Sequence, residues 1–297
     1  MTRTHQGRSR ADALFLLALV AIVLAFLAPA WLNPESIWTT PGAVYSDLAI
    51  THWPIWWLVK QSLREQGQIP LWRPTIMGGA PLVGNPLAAL FYPPNWLLVA
   101  LPLAPAFHLL LALHLCGAGA ALYGFVRRTA GCTPFAAFIG GVAYALSPKL
   151  IAHVGAGHVG LSQAYAWLPL SLWLLHEATS PPRLERRGQD REHQSHRRGP
   201  LSSTPMHSTG GAGRGLQTWH FSIGCGASLA LTYLADPRIA FLSALSLAAY
   251  ALYRCITHWR SGGAHAALRL ALRLSWAPIA ALTFAAIQVL PSLELMR

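Results

Sequence analysis

The chain has 297 residues, of which 54% are hydrophobic and 11% charged, and its formal net charge is +12. Soluble domains are about one quarter charged, so this deficit, with a mean hydropathy of +0.39, excludes a soluble domain and requires lipid-facing surface. The positive charge lies mostly between apolar runs, so membrane topology accounts for it without a nucleic-acid partner.

Residues 1–12 form a basic N-terminus with Arg3, Arg8 and Arg10. The apolar run 13–32 that follows is long enough to span a bilayer. Ala28-Pro29-Ala30 makes a poor cleavage site, so the run reads as a retained first span rather than a signal peptide. Segment 33–104 is long and aromatic, with Trp38, Trp53, Trp56, Trp57, Trp72 and Trp96. Within it, residues 53–66 read as an amphipathic helix, Pro54 being tolerated in the first turn. Trp56, Val59 and Leu63 line its apolar face, and Lys60, Gln61, Arg64 and Glu65 its polar one. Such a helix is expected to lie in the membrane interface. A second apolar stretch, 87–101, is broken by Pro93-Pro94 and is expected at the surface too. Further spans are predicted at 105–126, 135–152, 163–176, 219–235, 239–257 and 274–293. Segment 177–218, rich in Arg, Gly, Ser, His and Pro, reads as a disordered basic loop.

Together these predict an all-α polytopic membrane protein with about seven transmembrane helices and amphipathic interfacial helices in a long first exoplasmic loop. Spans one to four occupy 13–176, the loop 33–104 lying between the first two, and spans five to seven occupy 219–297. The basic groups near residues 3–10, 127–128, 183–214 and 254–273 all fall on the cytoplasmic side when the N-terminus is cytoplasmic. This agrees with the positive-inside rule.

Asp47 is the acidic residue that stands out, in Tyr45-Ser46-Asp47-Leu48 just ahead of the interfacial helix. A carboxylate near the bilayer, walled by aromatics, is expected to resist ionising and to suit a general base; the alternative reading is a helix-capping aspartate. Lys149, at the outer end of the third span, suits either a lipid phosphate or simple snorkelling. His153 and His158 flank the next outer turn and are candidate substrate-binding residues; with Asp47 their donor types suit a divalent metal, although five residues apart they lack the i, i+4 spacing of a helical pair. Gly155-Ala156-Gly157-His158-Val159-Gly160 matches G-x-G-x-x-G but opens no βαβ unit, so it reads as a tight turn or a site of close helix packing.

Several stretches in order resemble one family. They are Ser46-Asp47-Leu48, the aromatic helix, Gly67-Gln68-Ile69-Pro70-Leu71-Trp72-Arg73-Pro74, Met77-Gly78-Gly79-Ala80-Pro81-Leu82, Tyr92-Pro93-Pro94-Asn95 and Ala166-Trp167-Leu168-Pro169-Leu170. This pattern resembles the N-terminal part of the bacterial YfhO-like membrane proteins, themselves similar to GT-C glycosyltransferases. The resemblance implies transfer of a sugar from a polyprenyl-phosphate donor to a cell-envelope glycan or protein on the exoplasmic face. Asp47 matches the position of the family's essential first-loop acid, and Arg73 and Lys149 are candidates to stabilise the leaving phosphate. The family has Asn where this chain has Arg73, and its members run longer, so a C-terminally truncated or inactive fragment is one alternative. A lipid-linked-sugar flippase or transporter component is the other.

Overall fold

The computed structural model describes residues 2–76, 78–180 and 216–296. The predicted basic loop falls largely outside the described residues, as does Met77 of the motif stretch. The chain is mostly helical. Its helices are α1 (Thr2–Phe26), α2 (Ala28–Leu32), α3 (Trp53–Gln66), α4 (Leu97–Ala100), α5 (Leu103–Thr129), α6 (Pro134–Ala145), α7 (Pro148–Gly155), α8 (Val159–Tyr165), α9 (Leu168–Thr179), α10 (Leu216–Ala235), α11 (Pro237–Leu274) and α12 (Trp276–Leu295). Proline near the first turn starts several of them, where its missing N–H costs nothing. Thr133 caps α6 by accepting from the Ala136 amide at 3.2 Å, and Asp236 caps α11. Helix α11 is two helices joined at Gly263, where φ is +72°.

Among the described residues, three helical stretches, Leu103–Thr129, Pro134–Gly155 and Pro237–Leu295, are long and apolar enough to cross a membrane. In the last of these, only 17% of the most apolar window is buried inside the protein. Phe241, Leu245, Leu252, Leu282 and Leu290 are exposed along it. An apolar surface of that extent has lipid as its natural solvent, which marks a membrane protein.

The two ends of the bundle carry different chemistry. At one end Asp12 pairs with Arg127, whose Nε and Nη2 lie 2.8 and 3.0 Å from its oxygens, and Tyr123 donates to the same carboxylate. Trp173 of α9 lines the same cleft as Asp12 and Arg127. Beyond it, the Thr179 carbonyl accepts from Arg254 Nη2 at 2.9 Å. The opposite end gathers the 33–47 segment, the α7–α8 turn and the α10–α11 junction.

Helix α3 covers the range expected from the sequence, and Trp56 and Val59 are buried as the apolar face requires. Lys60 differs. It is 8% exposed and donates to the carbonyls of Leu98 and Leu101 at the end of α4. The carbonyls that α4 leaves unpaired attract the ammonium inward, and burial lowers its pKa. In the 87–101 stretch Ala88, Leu90, Tyr92 and Leu98 are fully buried, because two short 3₁₀ turns fold it against its neighbours, Leu90 and Leu98 in the cluster with α3 and α5 and Tyr92 beside Ala164 and Leu234. Tyr92 Oη there meets His114 Nε2 at 2.5 Å and accepts from Trp167 Nε1 at 2.8 Å.

Candidate functional site at the turn between α7 and α8

Three glycines stand at and around the turn after α7, and two of them admit another backbone. A Cβ on Gly157 would lie 2.4 Å from the Leu48 nitrogen and one on Gly160 2.5 Å from the Ala235 carbonyl, while one on Gly155 would meet the Thr40 side-chain Oγ1 at 2.5 Å. Backbone at such distances cannot turn aside, so glycine is required at positions 157 and 160. Gly157 also has φ +83°, which favours glycine on conformational grounds. The G-x-G-x-x-G match is thus a packing hub. The Thr40 amide donates to the Gly155 carbonyl at 2.9 Å, and the Asp47 amide donates to the Ala156 carbonyl at 3.0 Å.

This docking brings Asp47 Oδ2 to 3.3 Å from His158 Nε2, their side chains being 48% and 36% exposed. His158 Nδ1 in turn lies 2.8 Å from His153 Nδ1. When His158 carries its proton on Nε2, facing Asp47, its Nδ1 accepts from His153 Nδ1–H. Trp53 stacks on Phe107 and Trp56 meets Trp96 edge-on, so both tryptophans pack within the protein. The capping role goes to its neighbour: Ser46 Oγ accepts from the Ala49 amide at 3.3 Å, while the Asp47 side chain caps no amide.

The third partner of the turn contributes residues that the sequence reading did not assign to a site. Asp236 follows Ala235, is 1% exposed, and accepts from the Arg238 backbone amide at 2.9 Å. Its carboxylate also holds the Arg238 guanidinium, with Nε at 3.1 Å and Nη2 at 2.7 Å. His52 faces Asp47, His158, Asp236 and Arg238, and burial, the largest influence, lowers its pKa to about 4. The signal for Asp236 was present as an Asp-Pro pair ahead of an apolar run, a helix-start pattern. Nothing in the local sequence marks His52, whose neighbours come from three other segments.

Of the expected site residues, Asp47, His153 and His158 come together, and exposed Lys149 lies within electrostatic range of His153. Arg73 is elsewhere. It sits in the hairpin of β1 (Trp72–Arg73) with β2 (Ala80–Pro81), 8% exposed, its Nε without a hydrogen-bond partner among the described residues. Asp47 and His158 offer two donors to a divalent cation, but among the described residues no three His, Cys, Asp or Glu side chains form a metal set. What the cluster offers chemically is a half-exposed carboxylate backed by two linked imidazoles, with cations at its edge. No protein-family model, no curated protein and no solved structure matches this chain.

Proposed function

We propose that this chain is a membrane glycosyltransferase of YfhO-like and GT-C type. In this reading it crosses a bacterial cytoplasmic membrane seven times, its N-terminus inside and helix α3 at the outer interface. It moves a sugar from a polyprenyl-phosphate donor to a cell-envelope acceptor. The observation that carries the reading is the meeting of first-loop Asp47 with His158, His153 and the Asp236–Arg238 pair at one end of the bundle. Asp47, backed by His158, takes the proton of the acceptor hydroxyl. The freed oxygen attacks the anomeric carbon, the bond from that carbon to the phosphate oxygen breaks, and the phosphate leaves with the electron pair. Lys149 and Arg238 supply positive charge for that phosphate; Arg73, tied into its hairpin, does not share this edge.

The experiment is a transfer assay in membranes with radiolabelled polyprenyl-phosphate sugars, comparing the chain with Asp47→Asn after both are shown to be folded. Loss of about 10²-fold or more in rate is expected for the variant. Equal rates would remove Asp47 from the mechanism. Translocation of the labelled lipid without transfer would replace the enzyme with a flippase.

A further inference from the structure

We infer that the cleft on the uncharged side of the same turn is the subsite for the acceptor, and that it takes a neutral, hydroxyl-rich sugar ring. The cleft is open on one side and offers about 640 Å³ between α2, the 33–41 segment, α5 and α7. That is within the range of roughly 300–1,000 Å³ usual for small-molecule sites. Its polar lining is Asn33, Ser36, Trp38, Thr39, Thr40 and His108, and no Lys, Arg, Asp or Glu lines it.

His108 carries the argument. It is 3% exposed at the cleft wall, its ring edge-on to Trp31. The Ser36 backbone carbonyl lies within reach of one ring N–H, and the other ring nitrogen has no hydrogen-bond partner among the described residues. A neutral imidazole keeps that nitrogen as an acceptor, and leaving it unmet in a buried place costs free energy. One hydroxyl of a sugar satisfies it. Thr39 and Thr40 are exposed at the mouth of the cleft, where their hydroxyls are open to a ligand. Half-buried Trp38 supplies the aromatic surface on which the C–H face of a sugar ring packs.

Charge divides the two sides of the turn. Asp47, His158, Lys149 and Arg238 gather on one, where a phosphate-bearing donor has its counter-charges. The cleft has none, so an anion gains nothing there while an uncharged polyol does. Thr40 and Asp47 bond to the adjacent carbonyls of Gly155 and Ala156, which keeps the two sides in register. The assignment as acceptor subsite rests on the transferase reading; the affinity for a neutral sugar ring does not. A free glycan end and a glycolipid headgroup offer the same chemistry.

The test uses the full chain in phosphatidylcholine nanodiscs. Saturation-transfer NMR is recorded with a panel of neutral methyl glycosides, with sugar phosphates, and with a neutral glucosyl diacylglycerol placed in the disc. A neutral glycoside or the glycolipid is expected to bind saturably, and which of them does so identifies the source. His108→Phe is expected to weaken binding about tenfold or more. Thr40→Val, which keeps the packing volume, is expected to weaken it severalfold and decides the matter if His108→Phe does not fold. Arg128→Ala, at the opposite end, is expected to bind as the parent chain does. Absence of neutral-sugar binding at tens of millimolar would overturn the inference. So would a preference for sugar phosphates, or binding unchanged in both cleft variants. Binding by a chain that transfers no sugar would keep the subsite and remove the transferase; Asp47-dependent transfer without cleft binding would do the reverse.

Discussion

Asp47 donates its backbone amide to the Ala156 carbonyl at 3.0 Å, and two residues further along that chain His158 turns its Nε2 to within 3.3 Å of the Asp47 carboxylate. One backbone hydrogen bond therefore sets the distance between the two side chains. The acid and the imidazole are as far from a productive geometry as that turn is from its docked position.

Gly157 is the weakest point of this arrangement. Gly157→Ala puts a Cβ 2.4 Å from the Leu48 nitrogen at φ +83°, and strain of this kind costs about 1–3 kcal/mol. A lower melting temperature in detergent is expected, with loss of any Asp47-dependent activity. Gly117→Ala on α5, whose Cβ would meet nothing within 4 Å, is expected to be neutral or to stabilise by about 1 kcal/mol. Equal melting shifts for the two would refute the packing account.

Asp236 serves two functions with one carboxylate, capping α11 and holding Arg238. Asp236→Ala removes both and leaves the start of α11 uncapped, at an expected cost of about 1–2 kcal/mol. Asp236→Asn keeps an oxygen for the Arg238 amide and is expected to lose less. Chemical denaturation of the two variants side by side measures the order.

His52 makes stability depend on pH. Its pKa falls from an ordinary 6.5 to about 4 on folding, because burial opposes the charge; His158 and Arg238 add to this, and Asp47 and Asp236 work against it. The unfolded chain then binds the proton more readily, so its protonation favours unfolding. Stability from this residue is complete above about pH 6.5, declines as pH falls toward 4, and is level below that. Each pKa unit corresponds to about 1.4 kcal/mol, so the decline is at most about 3.5 kcal/mol. Melting curves between these limits are expected to flatten in His52→Gln; an unchanged slope would exclude His52 as the source.

Tyr92→Phe strands buried His114 Nε2 and half-buried Trp167 Nε1 by removing one hydroxyl. An unsatisfied buried group costs about 1–3 kcal/mol. A clear fall in melting temperature is expected. It should be smaller in the double variant Tyr92→Phe with Trp167→Phe than the two single effects added together.

Local pattern alone determined the helical, membrane-bound character of the chain, the limits of helix α3, and the reading of Gly155 to Gly160 as a packing turn. These depend on hydropathy, the 3.6-residue period and the special freedom of glycine, all carried by neighbours in the sequence. It also singled out Asp47, His153 and His158, because few polar groups stand at that end of so apolar a chain. Tertiary structure alone decided that Ser46 caps the turn while Asp47 turns to His158, and that Lys60 faces inward to the carbonyls of α4. It also decided that Arg73 belongs to a hairpin and not to the cluster, and that His52, Asp236 and Arg238 complete it. Each of these turns on which backbone carbonyl or carboxylate from a distant segment reaches a polar group first. Hydrogen bonds act over about 3 Å, whereas Asp47 and Asp236 are separated by most of the chain, so only folding brings their neighbourhoods together.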